Sequence, residues 1–114
     1  MDKQSRKSLS KQYKDREVIG GVYRVVCRPT GQFWLKKTTD MQGSKNRHDF
    51  SIITNHCPEP SMQACWKQYG AKNLVFEEME LLTKKEAQSF ESFSEDVGVL
   101  LEFWEEKLGH GTGE

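Results

Sequence analysis

The sequence feature that most constrains the fold is a pair of β-rich runs separated by a short turn. The first run spans residues 20–27 and the second spans residues 32–40. Between them, Pro29 presets a turn conformation and Gly31 tolerates a positive φ. This arrangement predicts a β-hairpin, because two strand-forming runs joined by such a short segment pair with each other.

Alternation along the first run predicts which side chains share a face of the sheet. It gives two sets, Val22, Arg24 and Val26 on one face and Tyr23, Val25 and Cys27 on the other. Both sets contain apolar residues. We therefore expect helices to cover this hairpin on at least one side, since a strand with two apolar faces has to bury both of them.

The middle of the chain predicts two helices. The first begins between Gln42 and Ser44 and ends near Asn55, and we expect Phe50, Ile53 and, less centrally, Ile52 to form its buried side. The second begins with Ser61 as its N-cap and stops at Gly70. Its apolar residues repeat at helical spacing and are expected in the core: Met62, Cys65, Trp66 and Tyr69.

The last third predicts a strand followed by a long helix. Residues 73–82 begin with an apolar, β-rich segment and form the expected third strand. The helix begins between Ser89 and Ser94 and runs to Leu108, where Gly109 stops it. Its expected apolar face consists of Val97, Leu100, Leu101, Trp104 and Leu108.

These elements predict an α+β fold, with a small three-stranded antiparallel sheet packed between helices. The length of 114 residues suits one domain with its own core. We expect residues 19–109 to form this domain, residues 1–18 to form a basic helix docked on it, and residues 110–114 to form a loose tail.

The charges balance to a formal net charge of zero, which predicts no global basic field. They are unevenly spread, however, since the first segment is basic and the last third is acidic, so a local basic face is compatible with neutrality. No apolar run approaches a membrane span, no signal-peptide core is present, and three cysteines lack any framework spacing. We expect a cytoplasmic protein with no membrane partner.

Two sequence motifs point to a family. Gly21-Val22-Tyr23 in the first strand, an aromatic residue in the second and Arg47 early in the next helix resemble the GIY-YIG nuclease family. The string over residues 38–47, TTDMQGSKNR, is similar to one found in a branch of small bacterial single-domain members. The likeness extends over roughly residues 12–108.

The resemblance implies a nuclease that uses a divalent metal, Mg²⁺ or Mn²⁺, to cleave DNA. Phosphodiester cleavage develops negative charge on phosphoryl oxygens, which cationic donors and a carboxylate-bound metal stabilise. Tyr23 matches the first-strand tyrosine and Arg47 the helix arginine, while Trp34 is the second-strand aromatic residue. Glu102 is the candidate metal ligand.

Further residues are candidate contacts to the nucleic acid. Lys45 and Asn46 flank the helix arginine as they do in the similar bacterial proteins. Arg24, Lys36 and Lys37 lie on the predicted hairpin and, together with Arg28, could line a phosphate-binding face. Because relatives often gain target specificity from appended domains, a protein partner is a further expectation.

The chain also departs from the family pattern. The second family triplet falls on residues 34–36, Trp-Leu-Lys, which lack its tyrosine hydroxyl and its glycine. Ser51 stands where many relatives carry a histidine, and His48 follows Arg47 directly. The glutamate position falls on Leu101, with Glu102 about 100° further round the helix. Two functions therefore stay open, a nuclease and a catalytically degenerate scaffold that binds nucleic acid or protein.

Overall fold

A computed structural model describes residues 17–109, so most of the predicted N-terminal helix and the tail of residues 110–114 lie outside the described part. Three strands form the sheet: β1 (Ile19–Cys27), β2 (Phe33–Thr38) and β3 (Leu74–Thr83). The helices are α1 (Met41–Thr54), α2 (Gln63–Tyr69) and α3 (Phe90–Leu108), with 3₁₀ turns at Pro60–Met62 and Ala71–Asn73. The predicted α+β fold is confirmed.

The sheet is antiparallel throughout, in the order β2-β1-β3, so the predicted hairpin supplies its edge and its centre. In the turn, the Cys27 amide donates to the Gln32 carbonyl at 2.8 Å and the Gly31 amide donates to the Cys27 carbonyl at 2.7 Å. Gly31 has a φ of 79°, a conformation that favours glycine. The turn chemistry that predicted the hairpin is therefore the chemistry that closes it.

One face of the sheet packs against α3. Phe93 and Val97 of this helix are fully buried, as is Val22 of β1. The helix begins after Ser89, whose side chain accepts a hydrogen bond from the Ser92 amide, and it ends at Gly109, as predicted. The predicted apolar face is only partly right: Phe93 is its deepest residue, whereas the other predicted members after Val97 are only half-buried or exposed.

The opposite face packs against α2 and, at its other end, α1. Its core is formed by Val25, Cys27, Trp34, Met62, Cys65, Trp66 and Leu74. The predicted burial of Met62, Cys65 and Trp66 is confirmed. The predicted start at Ser61 is wrong, because Pro60 opens a 3₁₀ turn and the α-helix begins only at Gln63.

Helix α1 is the element that the sequence predicted least well. Phe50 is 66% exposed and Ile53 is 81% exposed, so the predicted buried side is wrong for both, although Ile52 packs against the core. The buried residues are Met41 and Ser44, because α1 is anchored to the sheet at its first turn. Its end is as predicted, since Asn55 adopts the left-handed conformation after Thr54.

Candidate functional site

The segment between β2 and α1 determines where the helix arginine stands. Asp40 caps α1 by accepting a hydrogen bond from the Gly43 amide at 3.0 Å. A Cβ atom at Gly43 would lie 2.2 Å from an Asp40 carboxylate oxygen, so a larger residue there would have to displace the capping side chain. The cap starts the helix at Met41 and leaves Ser44 nearly buried in its first turn. Arg47 follows Ser44 by three residues, on the same side of the helix.

The Ser44 hydroxyl connects the strand and the helix. Its Oγ donates to Thr38 Oγ1 at 2.7 Å and accepts from Arg47 Nη2 at 3.1 Å. It also lies close enough to Tyr23 of β1 to lower the pKa of that tyrosine. One buried hydroxyl therefore brings the two residues that best match the family, Tyr23 and Arg47, to the same point.

Tyr23 is held firmly in this position. Its ring stacks on Phe76 of β3, with 4.4 Å between the ring centres and an angle of 19° between the planes. Burial, and after it the negative charge of Glu59, raise the pKa of Tyr23, while Ser44 and Arg47 lower it by less. Its hydroxyl is therefore protonated at neutral pH and is suited to donating a hydrogen bond to an anion.

An irregularity in the sheet lies next to Tyr23. Val22 pairs with Glu80 and Tyr23 with Glu78, so Met79 is an extra residue in β3. Beside it, Gly21 adopts a φ of 139°, and a Cβ atom there would lie 2.0 Å from the Glu80 carbonyl oxygen. The glycine of the first motif thus permits a close backbone contact next to the candidate site.

Tyr23 and Arg47 face a cleft of about 630 Å³ between α1 and the segment before α2. Four predicted residues line it: Tyr23, Lys36, Asn46 and Arg47. Eight residues that the sequence analysis did not assign to a site complete the lining: Val25, Ser44, His48, Phe50, Ser51, Pro58, Glu59 and Met62.

The charged groups of the cleft leave it with a net positive charge. Lys36, opposite Tyr23 on β2, forms an ion pair with Glu59. Arg47 is exposed and forms no ion pair with any residue of the described range. The Lys36 and Glu59 charges cancel, so the guanidinium of Arg47 is the charge left over to attract an anion.

His48 also faces this cleft, beside Arg47. One of its ring nitrogens lies 2.9 Å from the Leu74 carbonyl oxygen, and its ring centre is 5.8 Å from that of Phe76. The contact with a backbone carbonyl fixes the ring against β3. His48 therefore helps to position the wall of the cleft.

The structure places Trp34 outside the cleft. Its side chain is 5% exposed and packs in the core beneath α2. The indole N–H is buried and has no hydrogen-bond partner among residues 17–109. The residue that aligns with the second-strand tyrosine therefore serves as a core residue here, at a register position opposite Val25.

The remaining hairpin cations do not converge on the cleft either. Arg24 lies on the α3 face, where Nε donates to Glu77 at 2.8 Å and the guanidinium stands 5.4 Å from the Phe33 ring centre. Lys37 lies on that same face, and its Nζ would be 3.6 Å from a Cβ atom on Gly98 of α3. Lys45 is exposed and is not part of the cleft lining.

The residues present do not fit the metal that the family resemblance implies. Glu102 is exposed on α3, which packs on the opposite face of the sheet, and it does not line the cleft. The cleft carboxylate is Glu59, which is already paired with Lys36. Within residues 17–109, no three His, Cys, Asp or Glu side chains are grouped to hold a metal ion.

Of the cleft residues that sequence reasoning missed, Ser44 had a weak signal and Glu59 had none. Ser44 lies three residues before Arg47 in the matching string, which is the spacing of side chains that touch on a helix. Glu59 stands between two prolines, in a segment with no periodicity, so nothing in its surroundings indicated that it faces Lys36. The first residue could have been predicted from spacing, and the second depends on tertiary structure.

No helix in the described range is both long enough and apolar enough to span a membrane. A scan against protein-family models, a search of curated proteins and a search of solved structures each found no match to this chain. The residues of the cleft are therefore what indicates a function for this chain.

Proposed function

We propose that this chain is a GIY-YIG-like domain that binds nucleic acid, with DNA as the preferred ligand, and that a backbone phosphate occupies the cleft beside Tyr23 and Arg47. The observation that carries this proposal is the exposed Arg47 guanidinium. Ser44 holds it beside a protonated tyrosine hydroxyl, without an acidic partner in the described residues.

The other cleft groups support the same ligand. Arg47 offers several N–H donors in a planar fork that matches phosphate oxygens. The Tyr23 hydroxyl and the Asn46 side chain line the same space and add neutral donors. Lys36 is the second cation, and a phosphate would compete with Glu59 for it. This donor set recognises a phosphate without reading a base sequence.

Binding is favoured over cleavage because the metal ligands of the family are not assembled here. The carboxylate that would hold a divalent ion, Glu102, is on the other side of the sheet from Tyr23. Among residues 17–109, the one carboxylate that lines the cleft is neutralised by a lysine. Of the two functions that the sequence left open, these contacts support the degenerate scaffold acting as a nucleic-acid-binding module.

Phosphodiester hydrolysis is the second candidate, and one observation favours it. Tyr23 and Arg47, the two residues that match the family at the reacting centre, share the Ser44 hydroxyl instead of lying apart. Its test is cleavage of labelled single-stranded, duplex and branched DNA with Mg²⁺ or Mn²⁺. Cutting that Tyr23→Phe and Arg47→Ala both abolish would establish a nuclease, whereas cutting that both retain would indicate a contaminant.

The experiment for the binding proposal is a fluorescence anisotropy titration of labelled DNA over a range of salt concentrations. Arg47→Ala should weaken binding about tenfold and lower the slope of log affinity against log salt by about one. Arg28→Ala is the matched control, because it removes the same charge from an exposed position in the hairpin turn. Equal losses in the two variants, or no binding by the natural protein, would contradict the proposal.

We also propose a cytoplasmic location. Cys27, Cys57 and Cys65 are all free thiols in the structure, and Cys27 and Cys65 are buried. Thiols in this state suit a reducing compartment. Quantifying the thiols of protein isolated under alkylating conditions tests this point, since an intramolecular disulfide would contradict it.

A further inference from the structure

Most of the cleft lining is apolar, which a phosphate does not explain. A phosphate would contact Arg47, while Val25, Phe50, Pro58 and Met62 add apolar surface to the lining of the same 630 Å³ space. Clefts of about 300–1,000 Å³ with apolar walls and a few polar groups are typical sites for organic ligands. The dimensions therefore accommodate a ligand with an apolar part attached to its phosphate.

Phe50 determines where that apolar part would lie. Its side chain is 66% exposed although it borders the cleft, so it contributes little to the core. It follows Arg47 by three residues on α1, which places the two side chains next to each other, with about 5–6 Å between their Cβ atoms. A group bound to Arg47 thus has an exposed aromatic ring beside it.

We propose that the apolar part of the cleft binds an unpaired nucleobase, which stacks on Phe50 while the adjoining phosphate contacts Arg47. The inference rests on the proposed function and specifies its ligand as a single-stranded nucleic acid. A nucleotide has the required chemistry, since a sugar joins its anionic phosphate to a flat base with π-faces. Stacking of bases on aromatic side chains is a general mode of single-strand recognition.

Base pairing explains the preference for a single strand. In a duplex, each base is stacked on its neighbours and paired with its partner, so it enters a cleft only after it is extruded from the helix. An unpaired base meets no such cost. The cleft therefore discriminates between strands through its apolar wall, whereas Arg47 contacts phosphates of either form.

The test compares three labelled DNA ligands of equal length: a single strand, the same strand with abasic sites, and a duplex. We expect the natural protein to bind the single strand about tenfold more tightly than the other two. Phe50→Ala should remove that preference by weakening the binding of the single strand about tenfold. Phe103→Ala, which truncates a half-exposed phenylalanine on α3, is the matched control and should leave all three affinities unchanged.

The outcomes distinguish a failure of nucleobase binding from a failure of the proposed nucleic-acid binding itself. Equal affinity for the base-bearing and abasic strands, still sensitive to Arg47→Ala, would overturn nucleobase binding and retain phosphate binding. Tighter binding of the duplex than of the single strand would also overturn it. Failure to bind any of the three ligands would overturn the proposed function together with the inference.

Discussion

The two faces of the sheet differ in how completely they are covered. On the α3 face, Val22, Phe93 and Val97 are fully buried, and the polar Arg24 is paired with Glu77. The opposite face is closed beneath α2 but opens into the cleft beneath α1. There, a tyrosine, two cations and a carboxylate lie beside an exposed phenylalanine.

This difference separates the residues that stabilise the fold from those that are available to a ligand. Apolar burial contributes about 25 cal/mol per Å² of surface removed from water, so a buried side chain such as Phe93 supplies more stability than an exposed one such as Phe50. An exposed arginine such as Arg47 adds little to stability. We therefore expect substitutions on the α3 face to affect folding and substitutions in the cleft to affect binding.

The largest expected effect is that of Phe93→Ala. It should lower the free energy of unfolding by about 3–5 kcal/mol, because a fully buried ring is removed and a cavity is left. Urea denaturation followed by circular dichroism measures this. Phe50→Ala makes the same chemical change on the open face and should cost less than about 1 kcal/mol. Similar losses at the two positions would refute the distinction between the faces.

The next effect is that of Gly21→Ala, which should destabilise the protein by at least about 2 kcal/mol. The new Cβ would meet the Glu80 carbonyl oxygen, at a φ that other residues rarely adopt. Gly98→Ala is the control, since its Cβ meets only the flexible end of Lys37 and alanine favours a helix by up to about 1 kcal/mol. In thermal unfolding, the midpoint temperature should therefore fall for Gly21→Ala and rise for Gly98→Ala.

Within the cleft, Tyr23→Phe should cost about 1 kcal/mol at neutral pH, because the polar interaction of the hydroxyl with Ser44 is lost. The pKa of Tyr23 is raised in the folded protein, so its contribution to stability is complete below about pH 10 and falls as pH rises further. The phenylalanine variant has no hydroxyl to ionise, so its stability does not fall for this reason as pH rises. Urea denaturation from pH 7 to 11 should show the two proteins converging at high pH, whereas a constant difference would contradict this assignment.

The smallest expected effect is that of Glu59→Gln. It removes the negative charge of the cleft and releases Lys36, so DNA affinity should rise about threefold at low salt. The same change should lower the pKa of Tyr23, because Glu59 contributes to raising it. Anisotropy titrations at two salt concentrations measure the first effect. Glu86→Gln, an exposed site in the turn before α3, is the control and should leave affinity unchanged.

Much of the fold could be predicted from sequence, because its signals are local. Pro29 and Gly31 predicted the hairpin turn. Ser89 and Gly109 lie at the two ends of α3, as their capping chemistry predicts. The burial of α1 could not be predicted in this way. Phe50 and Ile53 are large and apolar, yet both are exposed, because α1 contacts the sheet and core through its first turn, His48 and Ile52, which depends on tertiary packing.

The candidate site was predicted only in part, for a similar reason. Tyr23 and Arg47 were identified through the resemblance, and the structure brings them together at Ser44. Arg24 and Lys37 alternate with the cleft residues along their strands, so a correct register places them on the other face. The sequence analysis therefore assigned more of the hairpin cations to the site than the structure places there. Glu59 lies in a loop whose sequence has no periodicity, so its place in the site could not be predicted.

Nucleic-acid binding in the cleft is tested most simply by an NMR titration with a short single-stranded DNA, following backbone amide and arginine side-chain signals. Binding there should concentrate the shifts on Tyr23, Ser44, Arg47 and Phe50, while Val22, Phe93 and Val97 stay unchanged. Shifts centred on the α3 face, with the cleft signals unmoved, would contradict it.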